Sequence, residues 1–262
     1  MTMHRLLEDF AQENALRDVN PGVKILLGLA SILLCISSPG PVTPLFIAVS
    51  LSAATVGLAR IPPRFYARLL LVPASFAVMS IAVILFLTGG GAVLVSIPLP
   101  IFTLTVTTGG ANLAFLLVAR VLGGMCSLFF ISLTTPMTDI FTIMQRLRFP
   151  TVFIDLAMLI YRFIFVVIDE AGQIYRSQRM RLGYGTFSES IRSFGMLAGA
   201  LFLRTWESGE HLVRAMDARC YDGRFGLPDE APPVSPTWAL GVVLYLGLVA
   251  GISWTTATIT LC

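Results

Sequence analysis

The stretch TVFIDLAMLIYRFIFVVIDEAGQIYRSQRMRLG, residues 151–183, decides how the chain is organised. Its first half is apolar enough to read as a lipid span, Val152–Ile168. Yet Asp155, Arg162, Asp169 and Arg176 recur every seven residues, close to two helical turns, so the four charges share one stripe of a single helix. A lipid-facing charge at mid-membrane is costly. Laid along the inner membrane interface, the same helix keeps its apolar face in lipid or against a partner and its stripe toward water or protein.

The sequence on either side says the same. The chain has 262 residues, 56% apolar and 13% charged, with net charge +3, and a mean hydropathy of +0.82. That composition excludes a disordered chain, makes a single soluble globule untenable, and offers too little positive charge for nucleic-acid binding. From Gly22 to Thr135 the charged residues are Lys24, Arg60, Arg64, Arg68 and Arg120, all basic; Ala231–Cys262 has none. Residues 170–230 hold eight arginines and eight acids. A bilayer-embedded part therefore flanks one water-facing segment.

Five further runs read as spans: Val23–Ser37, Val42–Leu58, Leu69–Leu87, Leu113–Leu133 and Pro236–Ile259. The first two are short and share the turn Ser38-Pro39-Gly40-Pro41. Gly89-Gly90-Gly91 ends the third, and Ala92–Thr108 reads as an extended or hairpin connection at the outer surface. Arg60, Arg64 and Arg68, with no acid among them, place their loop in the cytoplasm, together with the N-terminus and residues of about 137–224. The fold class is thus an all-α polytopic membrane protein. Five transmembrane helices are expected, or six if Val152–Ile168 crosses, plus long cytoplasmic or interfacial helices. The regions are 1–135 (four spans), 136–230 (cytoplasmic helices) and 231–262 (the last span).

Three helical pieces follow the fourth span. The first starts near Pro136 and Thr138-Asp139 and stops at Pro150. The second runs from about Thr151 to Leu182, with Gly183 expected in the left-handed C-terminal position. The third runs from about Ser188 to Arg219, and Gly195 and Gly199 on it permit a close helix crossing. The two long helices end alike: Arg179-Met180-Arg181-Leu182-Gly183-Tyr184-Gly185 and Asp217-Ala218-Arg219-Cys220-Tyr221-Asp222-Gly223. Arginine in a last turn favours the negative end of the helix dipole and also projects a forked donor suited to a carboxylate on another protein.

Other chemistry is sparse. Cys35, Cys126, Cys220 and Cys262 show no zinc or redox spacing. Only His4 and His211 are present, without an H-E-x-x-H pair, and no phosphate-binding G-x-x-x-x-G-K-[ST] loop occurs. No metal site is expected in the chain, and an intramembrane enzyme finds no equipment. A stand-alone channel or secondary transporter would place polar groups at mid-membrane, where Arg120 is the one candidate, open equally to a structural or a functional role.

Taken in order, these stretches resemble the transmembrane T component of energy-coupling factor (ECF) transporters, in particular the CbiQ type of cobalt uptake systems. The resemblance rests on Asn20-Pro21-Gly22-Val23-Lys24, on Thr134-Thr135-Pro136, on Phe149-Pro150 before Ile160-Tyr161-Arg162-Phe163 and Ile168-Asp169-Glu170-Ala171, and on the two arginine-bearing helix ends. Ala218-Arg219-Cys220 is similar to the family's Ala-Arg-Gly with Cys for Gly, and Met180-Arg181-Leu182 is a looser match. Either Arg179 or Arg181 can be the working residue, and Arg181 is favoured because Gly183 follows it closely. If the Cys220 position needs positive φ, cysteine there costs about 1 kcal/mol; otherwise the helix extends one residue further.

The resemblance implies a non-catalytic coupling subunit in the cell membrane. Its implied partners are two ATPase subunits carrying ATP and Mg, engaged by Arg181 and Arg219, and a CbiM-like membrane subunit that holds the cobalt. Nickel is the competing cargo, and no cofactor falls to this chain.

Overall fold

The structure, a computed structural model, describes residues 10–12, 14–87, 93–98, 103–221, 233 and 235–256. Its elements are α1 (Pro21–Ser37), α2 (Val42–Ala53) running into a π-helical turn at Ala54–Leu58, α3 (Pro63–Leu87), strands β1 (Val93–Pro98) and β2 (Thr103–Thr107), α4 (Thr108–Thr134), α5 (Met137–Arg146), α6 (Thr151–Met180), α7 (Phe187–Ala218) and α8 (Pro236–Thr256). Every expected span is a helix. The connection after α3 is an antiparallel hairpin, with Ile97 opposite Leu104 and Val95 opposite Val106. Gly89-Gly90-Gly91 and the residues after Thr256 lie outside the described residues.

Four helices have the length and apolarity to cross a membrane: α3 over Pro63–Leu85, α4, α6 and α8. Two apolar helical stretches, Pro21–Ser37 and Val42–Leu58, are shorter. By length and composition α6 therefore qualifies as a span, alongside the five read from the sequence. The molecule is an all-α polytopic membrane protein carrying one small hairpin.

The chain divides into two compact units, residues 1–140 with 230–262, and residues 141–229. In the first, α4 packs against α1, α2 and α3, and α8 against α1 and α2. Cys35, Ile47, Leu51, Ile61, Phe129, Phe130, Leu133 and Val249 form the core. In lipid, apolar side chains gain nothing by leaving one apolar medium for another, so close approach and interhelical hydrogen bonds carry the packing. Both are present. A Cβ on Gly123 would sit 2.7 Å from the Pro44 carbonyl oxygen and 2.8 Å from Cys35 Sγ, and one on Gly28 would run into Ile131. Ser50 pairs with the Tyr245 hydroxyl at 2.7 Å, and Ser52 with the Tyr66 hydroxyl at 2.9 Å.

Two cations inside this unit, Lys24 and Arg120, form no ion pair among the described residues. Each instead closes the C-terminus of the other's helix. Asn20 caps α1 by accepting from the Gly22 N–H at 2.9 Å, Pro21 opens the first turn, and Lys24 follows. Lys24 is 3% exposed and donates from Nζ to the Thr134 carbonyl at 3.0 Å, at the end of α4. In return Arg120, midway along α4, donates from Nη2 to the Ser38 carbonyl at 2.7 Å, at the end of α1. A cation at a helix C-terminus meets orphan carbonyls and the negative end of the dipole, worth up to about 2 kcal/mol when partly buried. Arg120 thus has a structural role. Beside Lys24, burial pushes the Asp139 carboxyl above the usual range, against the pull of Lys24 and Arg17.

Candidate functional site: two matched helix ends

The second unit contains α6 and α7. Thr186 starts α7 with a capping box: its hydroxyl accepts from the Glu189 N–H at 3.3 Å, and the Glu189 carboxylate accepts from the Thr186 N–H at 3.0 Å. Glu170 on α6 meets Arg204 on α7 at 2.7 Å. Glu170 belongs to the Ile168–Ala171 stretch singled out in the sequence, but its pairing with Arg204 was not legible there, because it depends on where two helices are laid side by side. The charge stripe of α6 is uneven: Asp155 is buried, whereas Arg162, Asp169 and Arg176 are exposed.

The two long helices close with the same backbone geometry. Arg181 caps α6 at φ −94°, ψ 15°, and Arg219 caps α7 at φ −98°, ψ 14°. Each is followed by a left-handed residue, Leu182 at φ 58° and Cys220 at φ 54°. At the end of α6 the Gly183 N–H donates to the Gln178 carbonyl at 3.0 Å, and the Leu182 N–H to Arg179 at 3.1 Å. At the end of α7 the Tyr221 N–H donates to Met216 and the Cys220 N–H to Asp217, each at 3.1 Å. Both are Schellman closures, one long bond wrapped around one short bond. Ala218 and Met180 are the last helical residues, so Arg181, and not Arg179, stands where Arg219 stands.

Gly183 does not take the left-handed position expected of it. Leu182 does, and Gly183 serves a different need: a Cβ there would lie 2.7 Å from Ser193 Oγ and 3.1 Å from the Gln178 carbonyl oxygen. Its bare backbone lets Ser193 Oγ donate to its carbonyl at 2.6 Å. Gln178 completes the brace, donating from Nε2 to the Ser193 carbonyl at 3.0 Å and accepting from the Tyr184 hydroxyl at 2.8 Å. Glycine was legible as part of a helix end; which of two neighbouring residues turns left-handed was set by what packs against them. Cys220 takes positive φ, so the strained alternative holds and α7 does not extend. The end of α5 repeats the closure with Arg148 as its left-handed residue at φ 60°, and the Phe149 N–H donates to Met144 at 3.1 Å.

Arg181 and Arg219 are exposed and have no partner among the described residues. Gly195 and Gly199 meet no second helix among the described residues: a Cβ on either would find nothing within 4 Å. Met180, Leu182 and Phe187, around the end of α6, are each more than 80% exposed. Each end is thus a rigid rod tip that projects a forked cation, flanked at α6 by apolar side chains.

The fold is thus that of a polytopic membrane protein whose two long helices end in matched arginines without a partner among the described residues. The family model of CbiQ, cobalt transport protein, matches residues 12–228, and the chain belongs to that family. It is 46% identical over 94% of its length to a fused cobalt transport protein, CbiMQ, of Methanocorpusculum labreanum, and spans 41% of that longer protein. It is 30% identical to the cobalt transport protein CbiQ of Rhodobacter capsulatus, over 85% of this chain and 86% of that one. It is 29% identical to the energy-coupling factor transporter transmembrane protein EcfT of Bacillus selenitireducens, over 70% of each.

Proposed function

We propose that the chain is the coupling (T) subunit of an ECF-type importer that takes up cobalt ion. The observation that carries the reading is the pair of superposable helix ends with exposed arginines. Two equivalent tips suit two equivalent docking grooves, one on each of two ATPase subunits, with Arg181 in one and Arg219 in the other. A guanidinium on a Schellman-closed helix is pre-oriented for bidentate contact with a carboxylate, which favours arginine over lysine there.

Behind the tips, α6 and α7 run 30 and 32 residues, about 45–48 Å each at 1.5 Å per residue. The Glu170–Arg204 pair and the Gln178–Ser193 bond tie them together. ATP, with Mg, is bound and hydrolysed on the ATPases. Their closing brings the two tips together, and the tied rods carry that displacement to a CbiM-like membrane subunit, which releases the cobalt inside. The tips and residues of about 137–224 face the cytoplasm. The fused CbiMQ relative combines M and Q parts in one polypeptide by name, in keeping with direct contact between the two. Nickel is the competing cargo.

The test is co-purification in detergent with a candidate ATPase pair, comparing wild type with Arg181→Glu and Arg219→Glu, together with metal uptake. Loss of ATPase association or of coupled uptake in both variants supports the reading. Unchanged association and uptake would make the arginines ordinary helix ends and bring a stand-alone transporter or channel forward.

A further inference from the structure

Arg60, Arg64 and Arg68 are the cations of the membrane unit that cap nothing. All three are exposed, and none has a hydrogen bond or ion pair among the described residues. Arg60 sits at φ 56° just after the π-helical turn, and Arg64 and Arg68 lie on the first two turns of α3. There they oppose their own helix, since the N-terminus of a helix is its positive end and favours anions. The first turn of α3 carries no acid to compensate. An exposed helix start with unpaired arginines and no carboxylate is suited to a phosphate.

A lipid-like slot follows one step further along α3. Arg64, Arg68, Val72, Phe76 and Ser80 succeed one another at intervals of four, a ridge of touching neighbours that turns about 40° around the helix at each step and places Arg68 directly before Val72. From Val72 onward this row borders a groove of ≈ 360 Å³ between α3 and α4, lined by Val72, Pro73, Phe76, Ser80, Val121 and Met125. Pro73 lies inside α3 and has no N–H for the helical ladder. The slot has almost no polar surface, its one hydroxyl being taken up within the helix, where Ser80 Oγ donates to the Phe76 carbonyl at 3.0 Å. Arg64 to Phe76 spans twelve residues, about 18 Å of helix rise. A phosphate at Arg68, one ridge step before Val72, and a hydrocarbon chain in the groove therefore follow one another in the order in which one lipid molecule carries them.

We infer that the α3–α4 groove, with Arg64 and Arg68 on the two turns of α3 that lead to it and Arg60 in the loop before them, is a binding site for one anionic phospholipid. The headgroup phosphate is held by the arginines and one chain lies along Val72, Phe76 and Val121. The three arginines also mark their loop as cytoplasmic, which places them at the depth of the inner-leaflet phosphates; a transmembrane helix of another subunit, the other occupant of an apolar groove, is an outcome of the test. The inference requires only that the chain be embedded in a bilayer and does not depend on the coupling role.

The test is native mass spectrometry of the full-length protein in neutral detergent, with phosphatidylglycerol or phosphatidylcholine added at equal concentration. Wild type is expected to retain one phosphatidylglycerol in preference to phosphatidylcholine. Arg64→Gln with Arg68→Gln should lower that retention by about fivefold per arginine. Val72→Trp, at an exposed position, fills the groove with the arginines intact and should also displace the lipid. Equal retention of the two lipids by wild type, or retention surviving the arginine double variant, would overturn the site. Retention surviving Val72→Trp would reduce it to headgroup attraction without a groove. If Val72→Trp instead releases another membrane protein from the complex while lipid retention is unchanged, the groove belongs to that protein and the inference falls.

Discussion

Lys24 and Arg120 in the membrane unit, and Arg181 and Arg219 in the helical unit, are four cations at helix C-termini with two different fates. The first pair reach across and close each other's helices, Lys24 onto Thr134 and Arg120 onto Ser38. The second pair cap only their own helices, and their side chains meet nothing among the described residues. In the membrane unit the buried Lys24 and the half-buried Arg120 turn to carbonyls at helix ends, with Asp139 near Lys24. In the helical unit the guanidinium stays exposed and available. Both units leave apolar side chains exposed, Phe76, Met79 and Trp254 in the membrane unit and Phe187, Phe202 and Trp206 on α7, so the contrast lies in these two pairs of cations and not in the apolar surface.

The sharpest way to break the membrane side of this contrast is at Gly123. With the Pro44 backbone and Cys35 against it, Gly123→Val should destabilise by about 3 kcal/mol or more, read as loss of the monodisperse folded fraction in detergent. Gly28→Val should behave similarly, softened where Ile131 can rotate away.

Lys24→Met comes next. It removes the closer donor at the end of α4 and leaves the buried Thr134 carbonyl with only the Asn14 amide at 3.4 Å, for about 1–2 kcal/mol measured as a fall in thermal midpoint. Arg181→Met, by contrast, should leave the thermal midpoint of the isolated chain within about 0.5 kcal/mol of wild type, since it touches nothing. If the two variants destabilise equally, the distinction between satisfied and free cations is lost.

Leu182→Gly and Cys220→Gly relieve left-handed backbone at non-glycine residues and should each stabilise by about 1 kcal/mol. No gain would mean that the ends relax to another conformation in solution. The smallest effect belongs to Glu170→Gln. Its partner Arg204 is 58% exposed, so the loss should stay under about 1 kcal/mol. A more sensitive readout is the distance between spin labels on α6 and α7, which should broaden if the pair ties the two rods.

The sequence by itself determined the membrane class, the number of apolar helices, the hairpin after α3 and the likeness of the two arginine-bearing ends. Each is written locally, in runs of hydropathy, in turn residues and in a repeated order of Arg, Tyr and Gly. Only the tertiary structure decided where Lys24 and Arg120 go, because their partners lie 110 and 82 residues away and a cation carries no record of which carbonyl will face it. It also decided that Leu182 rather than Gly183 turns left-handed, that Arg181 and not Arg179 matches Arg219, and that Gly195 and Gly199 face open space. Those outcomes depend on which atoms of one helix come to rest against another, and a hydrophobic pattern specifies the face of a helix without specifying its neighbour.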